Sequence, residues 1–319
     1  MQDFINKIES QLDTEIIKSK SRVLGKNSAV FDTLGNIREL YLYEVGLKDL
    51  KHLLPIADQL NELSLEFCSI SSLELLKEFP NLVSLNLHGN LLDNSDIKNI
   101  RFLDGLRKLD IGGNRIDDTT SLGEVVSLEE LCLSGSDDLT EVKGLQGLNR
   151  LSYLNLALTM IEDIKKIEVH SQIISLDLKG SEIKKISNLD RFSKIESLRL
   201  NGNPISKIEG LDNLKSLKKL NLSSLNLKKV EGLDSLVNLE ILDLNNDDLF
   251  KIEGLDNLMN IKQVNLNENN ISRVENLDEL INLEYLLLDF NRVQEFDTSF
   301  LSKVISSHCL ISMVGNPLK

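Results

Sequence analysis

Four histidines, three cysteines and a scatter of acids are the side chains with which this chain could do chemistry. Nucleophilic transfer needs a Ser or Cys beside a His that a third group orients, and a metal centre needs several His, Cys, Asp or Glu converging on one point. His52, His88, His170 and His308 are never neighbours along the chain. Cys68, Cys132 and Cys309 are odd in number and far apart, with neither a disulfide framework nor zinc spacing. No GxxxxGK[ST] phosphate cradle occurs, and no Ser–His–Asp arrangement can be assembled. The chain reads as non-enzymatic, with no catalytic residue, no cofactor and no metal.

What positions these residues is repetition. LRLNGNPISKIEGLDNL at 198–214 returns as LNLSSLNLKKVEGLDSL at 220–236, LDLNNDDLFKIEGLDNL at 242–258 and VNLNENNISRVENLDEL at 264–280. Written as LxxLxLxxNxL, the unit starts at 37, 60, 82, 106, 128, 151, 173, 195, 217, 239, 261 and 283, with a degenerate copy near 308. Such a period overrides the expectation of about two domains for this length, because stacked repeats share one core. The two leucines of LxL alternate with polar residues and point to one face of a strand. Identical strands one period apart lie parallel, about 4.8 Å from one another. Behind each strand, Ile205, Ile208, Leu211 and Leu214 recur every three residues, which suits a 3-10 or single helical turn packed inward.

In this register His88 lies one strand from Glu66 in the same column, within reach of an ion pair but without a third group. Asp110, Asp177 and Asp243 share a column three repeats apart, roughly 14 Å, too far to hold one metal or act as an acid–base pair. Cys132 faces the same side without a partnered His.

The pattern, carried by Leu198, Leu200, Asn203, Ile205, Ile208, Leu211 and Leu214 and their equivalents over about 34–318, resembles the leucine-rich repeats. It is similar to their short class, found in the regulatory subunit of protein phosphatase 1 and in bacterial internalins. The resemblance implies an α/β fold: a right-handed solenoid curved as a horseshoe, with a parallel concave sheet and 3-10 or short helical convex turns. It also implies a binding protein, with a phosphatase-like enzyme as one candidate partner. Residues such as Lys179, Arg199, Asn201 and Lys219 replace the aromatic and acidic middle repeats of that regulator, which argues against the same partner.

Two columns are expected to hold the turns. Asn90, Asn114, Asn203, Asn269, Asn291 and Asn316 occupy the ninth position, where a buried amide can satisfy backbone groups that no strand reaches. Cys68, Ser136, Thr159, Ser181 and Asp247 are smaller substitutes, whereas Val45 and Leu225 cannot do the job, so looser or water-closed bends are expected there. Gly144, Gly210, Gly232 and Gly254, with Asn188 and Asn276, form a column suited to positive φ. Residues 1–33 read as an N-terminal helical cap, 34–295 as twelve repeats and 296–319 as a C-terminal cap with the degenerate repeat. The first helix is expected over 4–24, from Phe4, Ile5, Ile8, Leu12, Ile16 and Ile17, with Asp3 capping its start and Lys18, Lys20, Arg22 and Gly25 at its end. Alternatively KSKSRVLGK (18–26) is a patch for an acidic partner. Phe296 to Ile305 reads as a short helix, after which ISMVGNPL closes the stack.

Apolar residues make up 41% of the chain but aromatics only 4%. The net charge of -14 argues against a nucleic-acid partner. It is uneven: residues 144–239 carry 15 Lys/Arg against 11 Asp/Glu, and 240–300 carry 4 against 14. That asymmetry fits either steering of a partner or solubility alone. The start MQDFINKIESQ lacks a secretory pattern and no apolar run approaches about 20 residues, so the expectation is a cytoplasmic chain with no membrane span. A nuclear location and export without a recognisable signal stay open.

Any site must sit where the repeat leaves the residue free. All four tyrosines, Tyr41, Tyr43, Tyr153 and Tyr285, occupy such positions on the concave strands. Phe67 joins Tyr41 and Tyr43, with Glu39, Glu62 and Glu66 around them; Asp289, Phe290 and Leu287 join Tyr285. Tyr is a residue that interfaces favour, although strand propensity enriches it too. The expected function is a protein-interaction scaffold gripping a partner with a basic surface and an apolar centre. The alternatives are a self-assembling structural protein that dimerises through a terminal strand edge, and an internalin-like adhesin or effector.

Overall fold

The computed structural model describes residues 2–169, 171–294 and 309–318, with side chains from residue 4 onward. The chain forms two compact units, Met1–Asn155 with Glu168–His170, and Leu156–Ile167 with Ser171–Lys319. No helix among the described residues is long and apolar enough to cross a membrane.

The first unit opens with helix α1 (Gln2–Leu12) and strands β1 (Ile17–Ser19), β2 (Ser28–Phe31) and β3 (Ile37–Tyr43). Then come β4 (Glu62–Glu66), β5 (Ser84–Asn86), β6 (Lys108–Asp110), β7 (Glu130–Cys132), β8 (Val142–Leu145) and β9 (Tyr153–Asn155). The main sheet runs β1-β2-β3-β4-β5-β6-β7-β9. Among the described residues of this sheet, only the β2–β3 pairing is antiparallel. The LxL leucines stand opposite one another, Leu40 to Leu63 and Leu131 to Leu154, as an identical repeat requires.

A short strand β10 (Ile167–Val169) precedes the parallel strands of the second unit. These are β11 (Ser175–Asp177), β12 (Ser197–Arg199), β13 (Lys219–Asn221), β14 (Ile241–Asp243), β15 (Gln263–Asn265), β16 (Tyr285–Leu287) and β17 (Leu310–Ser312), paired in that order. Leu198, Leu200, Ile205, Ile208, Leu211 and Leu214 are all buried. The turns behind the strands differ between the units. In the first, 3-10 segments form at Lys51–Ile56, Leu76–Glu78, Lys98–Phe102 and Thr120–Glu124, and the second has one at its start, Ile164–Lys166. Residues 205–216 instead bend without forming a helix. Gly210 sits at φ 69, and a left-handed residue there interrupts any right-handed turn.

The helix expected over 4–24 stops at Leu12. Asp13 takes a left-handed φ of 46 and the Thr14 N–H donates to the Glu9 carbonyl at 3.2 Å, a Schellman closure. The Ile16 N–H then donates to Glu9 Oε1 at 2.8 Å, and the β-branched pair Ile16–Ile17 leads into β1. Lys18, Lys20 and Arg22 therefore decorate β1 and the following turn, not a helix terminus. The helix expected at Phe296 to Ile305 and the side chain of Asp3 lie outside the described residues.

The asparagine column is a ladder. Asn90 Oδ1 accepts the N–H groups of Cys68 (3.1 Å) and Ile70 (2.8 Å), while its amide nitrogen donates to the carbonyls of Leu65 and Leu87, both at 2.7 Å. Asn203, Asn269 and Asn291 repeat this reach into the preceding turn. Leu225 has its effect one repeat earlier than expected. Its own turn is held by Asp247, whereas the Ile205 N–H, one repeat back, turns to the Asn203 carbonyl at 2.8 Å. Gly144, Gly210, Gly232, Gly254, Asn188 and Asn276 all have positive φ. So does a second column at the eighth position, which the residue types conceal: Glu44, Phe67, Leu158, Ser224, Asn246, Glu268 and Phe290 alternate there with glycines.

Candidate functional site

On the first unit, the sheet face turned away from the core begins with β3 and β4. Leu40, Leu42, Leu63 and Leu65 point inward, which leaves Glu39, Tyr41, Tyr43, Glu62, Ser64 and Glu66 on the opposite face. Tyr41 is not an exposed anchor, because it is only 5% accessible. The N-terminal segment has folded onto it: Ser28 pairs with Tyr41 in the β2–β3 ladder and the Arg22 guanidinium lies 4.7 Å over its ring. The Tyr41 hydroxyl donates to Glu39 Oε2 at 2.6 Å, and burial first, then Glu39, hold its pKa far above the usual phenol range.

The exposed aromatics are Tyr43 and Phe67. Their rings meet edge-on with centroids 5.6 Å apart, and Phe67 makes the same contact with His88 at 5.4 Å. Phe67 sits in the left-handed column, and its ring lies over Gly89 of the next repeat, where a Cβ would fall 2.3 Å from Phe67 Cε1. The glycine is what allows the ring to lie there.

Glu66 Oε1 gathers Ser64 Oγ (3.0 Å), Asn86 Nδ2 (2.9 Å) and Arg22 Nη2 (3.4 Å). His88 pairs with Asp110, not with Glu66 as the column implied; Nδ1 to Oδ1 is 3.4 Å. That bond raises the His88 pKa against its partial desolvation. Cys132 lies beyond Asp110, and burial, with the Asp110 charge, pushes its thiol up to about 11. The acid thus stands between histidine and thiol and opposes ionisation of the thiol, the reverse of what a nucleophile needs. Among the described residues, no three His, Cys, Asp or Glu side chains gather as a metal site. A cleft of about 270 Å³ crosses this face, lined by Arg22, Glu62, Asp110, Glu130, Cys132 and Tyr153.

The second unit is quieter. Tyr285 and Phe290 are exposed, and Phe290 lies over Gly315 as Phe67 lies over Gly89. Asp289 is structural, since its Oδ1 accepts Ser312 Oγ (2.6 Å) and the Val314 N–H (2.7 Å), fastening the last strand. A larger, shallow hollow of about 580 Å³ is lined by charges already paired, Lys218 to Glu196 at 2.9 Å and Lys262 to Glu240 at 2.7 Å. Beside it runs a second amide series that sequence reading missed: Asn238, Asn260 and Asn282 each donate to a carbonyl one repeat back, at 2.8 Å. Its signal was the Asn immediately before the first repeat position.

No family model matches the sequence, and no curated protein does. Solved structures do. An internalin (InlF) from Listeria monocytogenes is similar with a TM-score of 0.75 at 19% identity, over 99% of this chain and 90% of that one. The functional domain of InlJ from Listeria monocytogenes, which includes a cysteine ladder, matches with 0.62 at 15% identity, over 88% of this chain and 63% of its own. A leucine-rich-repeat protein from Leptospira interrogans matches with 0.55 at 18%, over 86% and 90%. The stacked parallel strands, the asparagine ladder and these likenesses agree: the chain has the leucine-rich-repeat solenoid fold that internalins share.

Proposed function

We propose that the chain is a non-catalytic scaffold that holds a partner protein against the concave sheet face and adjoining turns of its first unit. Phe67 carries the reading. A left-handed conformation costs an L residue roughly 1–2 kcal/mol, and a bulky one there is an outlier. Burial does not offset that cost, because Phe67 is 45% exposed and its neighbour Tyr43 is 46% exposed. The eighth position is left-handed in each of the twelve repeats, so the conformation belongs to the turn. What is particular to Phe67 is a ring held edge-on by Tyr43 and His88 and laid over Gly89, yet open to solvent. Such a rigid apolar surface is of the kind a partner buries. Glu66 stands beside these rings, and Glu62 and Asp110 line the cleft that runs on from them, where Glu130 is already paired with Lys108 at 2.8 Å, so the partner that fits presents a basic rim and an apolar centre. The fold shared with internalins supports a binding role and says nothing of the partner. Nothing on this face favours a phosphatase over other proteins. Self-assembly through β1 is disfavoured, since Lys18, Lys20 and Arg22 charge that edge.

The test is partner capture with Tyr43, Phe67 and Tyr153 all replaced by Ala. Exposed aromatic truncation should leave the melt nearly unchanged. Affinity should fall by about 2 kcal/mol or more for each central anchor. Unchanged affinity overturns the site, and a collapsed melt assigns these rings to the core.

A further inference from the structure

We propose that the Tyr41–Glu66 corner of this face is a guanidinium site, occupied in cis by Arg22 until an arginine of the partner replaces it. The inference rests on the reading that the face binds protein, and it names what the face recognises.

An arginine site needs a flat π surface and an oriented carboxylate beside it. Both are built here before any ligand arrives. The Tyr41 ring is fixed by the hydroxyl bond to Glu39 and by its place in the β2–β3–β4 ladder. Glu66 Oε1 is aimed by Ser64 and Asn86, two side chains from its own and the next strand. The group that fills the corner comes from 44 residues away, on the turn between β1 and β2.

Its hold is loose. The Arg22–Glu66 contact is a single 3.4 Å approach, and the Arg22 side chain is 44% exposed. The turn that carries it is thinly packed: Leu24 is 81% exposed and Gly25 sits at φ 68. Exposed ion pairs of this kind contribute little to stability, so the turn can yield without unfolding the unit. The cleft that opens beside the corner is lined by Glu62 and Asp110 as well as by a Lys108–Glu130 pair at 2.8 Å, and its two acids nearer the corner give an incoming basic chain a path. Lysine matches the charge but not the planar stack on Tyr41.

The experiment compares the full chain with R22A, using two peptides, acetyl-Arg-Arg-Arg-amide and its Lys counterpart, titrated at low salt by calorimetry. Removing the cis occupant should tighten Arg-peptide binding on the order of five- to ten-fold and favour it over the Lys peptide. Adding Glu66→Gln to R22A should abolish the gain. R22Q gives the same comparison should R22A fail to fold. Equal affinity with and without Arg22, or equal affinity for the two peptides, overturns the proposal. The Ala variant at Tyr43, Phe67 and Tyr153 leaves this corner in place, so it should keep the peptide response. Lost partner capture with an intact response therefore marks failure of one idea without the other.

Discussion

The sheet faces of the two units use their polar side chains differently. In the second, the fifth-position side chains of β11–β16 other than Arg199 and Leu287 are committed to their own backbone. Oδ1 of Asp177, Asn221, Asp243 and Asn265 accepts the N–H of Lys179 (2.9 Å), Ser223 (3.0 Å), Asn245 (3.1 Å) and Asn267 (3.2 Å), an Asx turn in each case. In the first unit Asn86 and Asp110 do the same for His88 and Gly112, but Tyr41 cannot. There the Tyr43 N–H is taken at 2.7 Å by Asn27 Oδ1, from the N-terminal segment. A polar column is therefore no sign of a ligand site. A strand is released for recognition where something else holds its turn.

That contrast can be broken or sharpened in three ways, from the largest effect to the smallest. Asn90→Ala strands the Cys68 and Ile70 N–H groups and the Leu65 carbonyl in the interior, while the Leu87 carbonyl keeps Asn114 Nδ2 at 3.0 Å, and should cost about 3 kcal/mol in a urea melt. A loss under about 1 kcal/mol would mean the amide ladder is ornamental.

Asp247→Asn should act in the opposite direction. Asp247 accepts Leu225 and Leu227 N–H groups at 2.9 Å, but its Oδ2 is buried without a partner, where an amide would donate. Burial raises its pKa from 3.8 to about 6. Between those values Asp247 binds more protons in the folded chain than in the unfolded one, so its own contribution to stability is fully present below about 3.8 and is lost as pH rises through about 6. The Asn variant should gain about 1–2 kcal/mol at pH 7 and flatten that fall. Melts at pH 4 and pH 7 with the same slope as the parent would refute it.

Asp243→Ala should cost about 1 kcal/mol, the worth of an ordinary hydrogen bond, although the side chain faces solvent. Ser64→Ala on the first unit should cost less, because Ser64 bonds to the Glu66 side chain and holds no turn. Equal losses at the two positions would dissolve the distinction between the faces.

The sequence showed whatever recurs with one residue type: the LxL leucines, the Asn column and the Gly144 column. Each is a local geometric need restated at a fixed interval. The left-handed eighth position stayed hidden because Phe67, Leu158, Glu268 and Asn246 share it with glycine, so no residue type marks it. The burial of Tyr41 was equally invisible. It depends on Arg22 and Ser28, whose turn has no counterpart in the repeat, and on Asp13 ending a helix that Ile16 and Ile17 alone would have extended. For His88, its column offered Glu66 on one side and Gly112 on the other, and only side-chain packing brought it to Asp110, two residues away along the next strand.

The ladder has a bearing on length as a heritable quantity. Each ninth-position amide reaches one repeat back and no further, as Asn203 does to Ile183 and Leu178. Adding or losing one whole period thus disturbs a single junction, and the chain can grow or shrink by one repeat without redesign. Not every cut is equal. Excising 217–238 would discard Leu225 and bring the turn of Asn203 against Asp247, whose carboxylate could then accept the Ile205 N–H. Lineages that shorten there would lose a repeat and repair a rung in the same step.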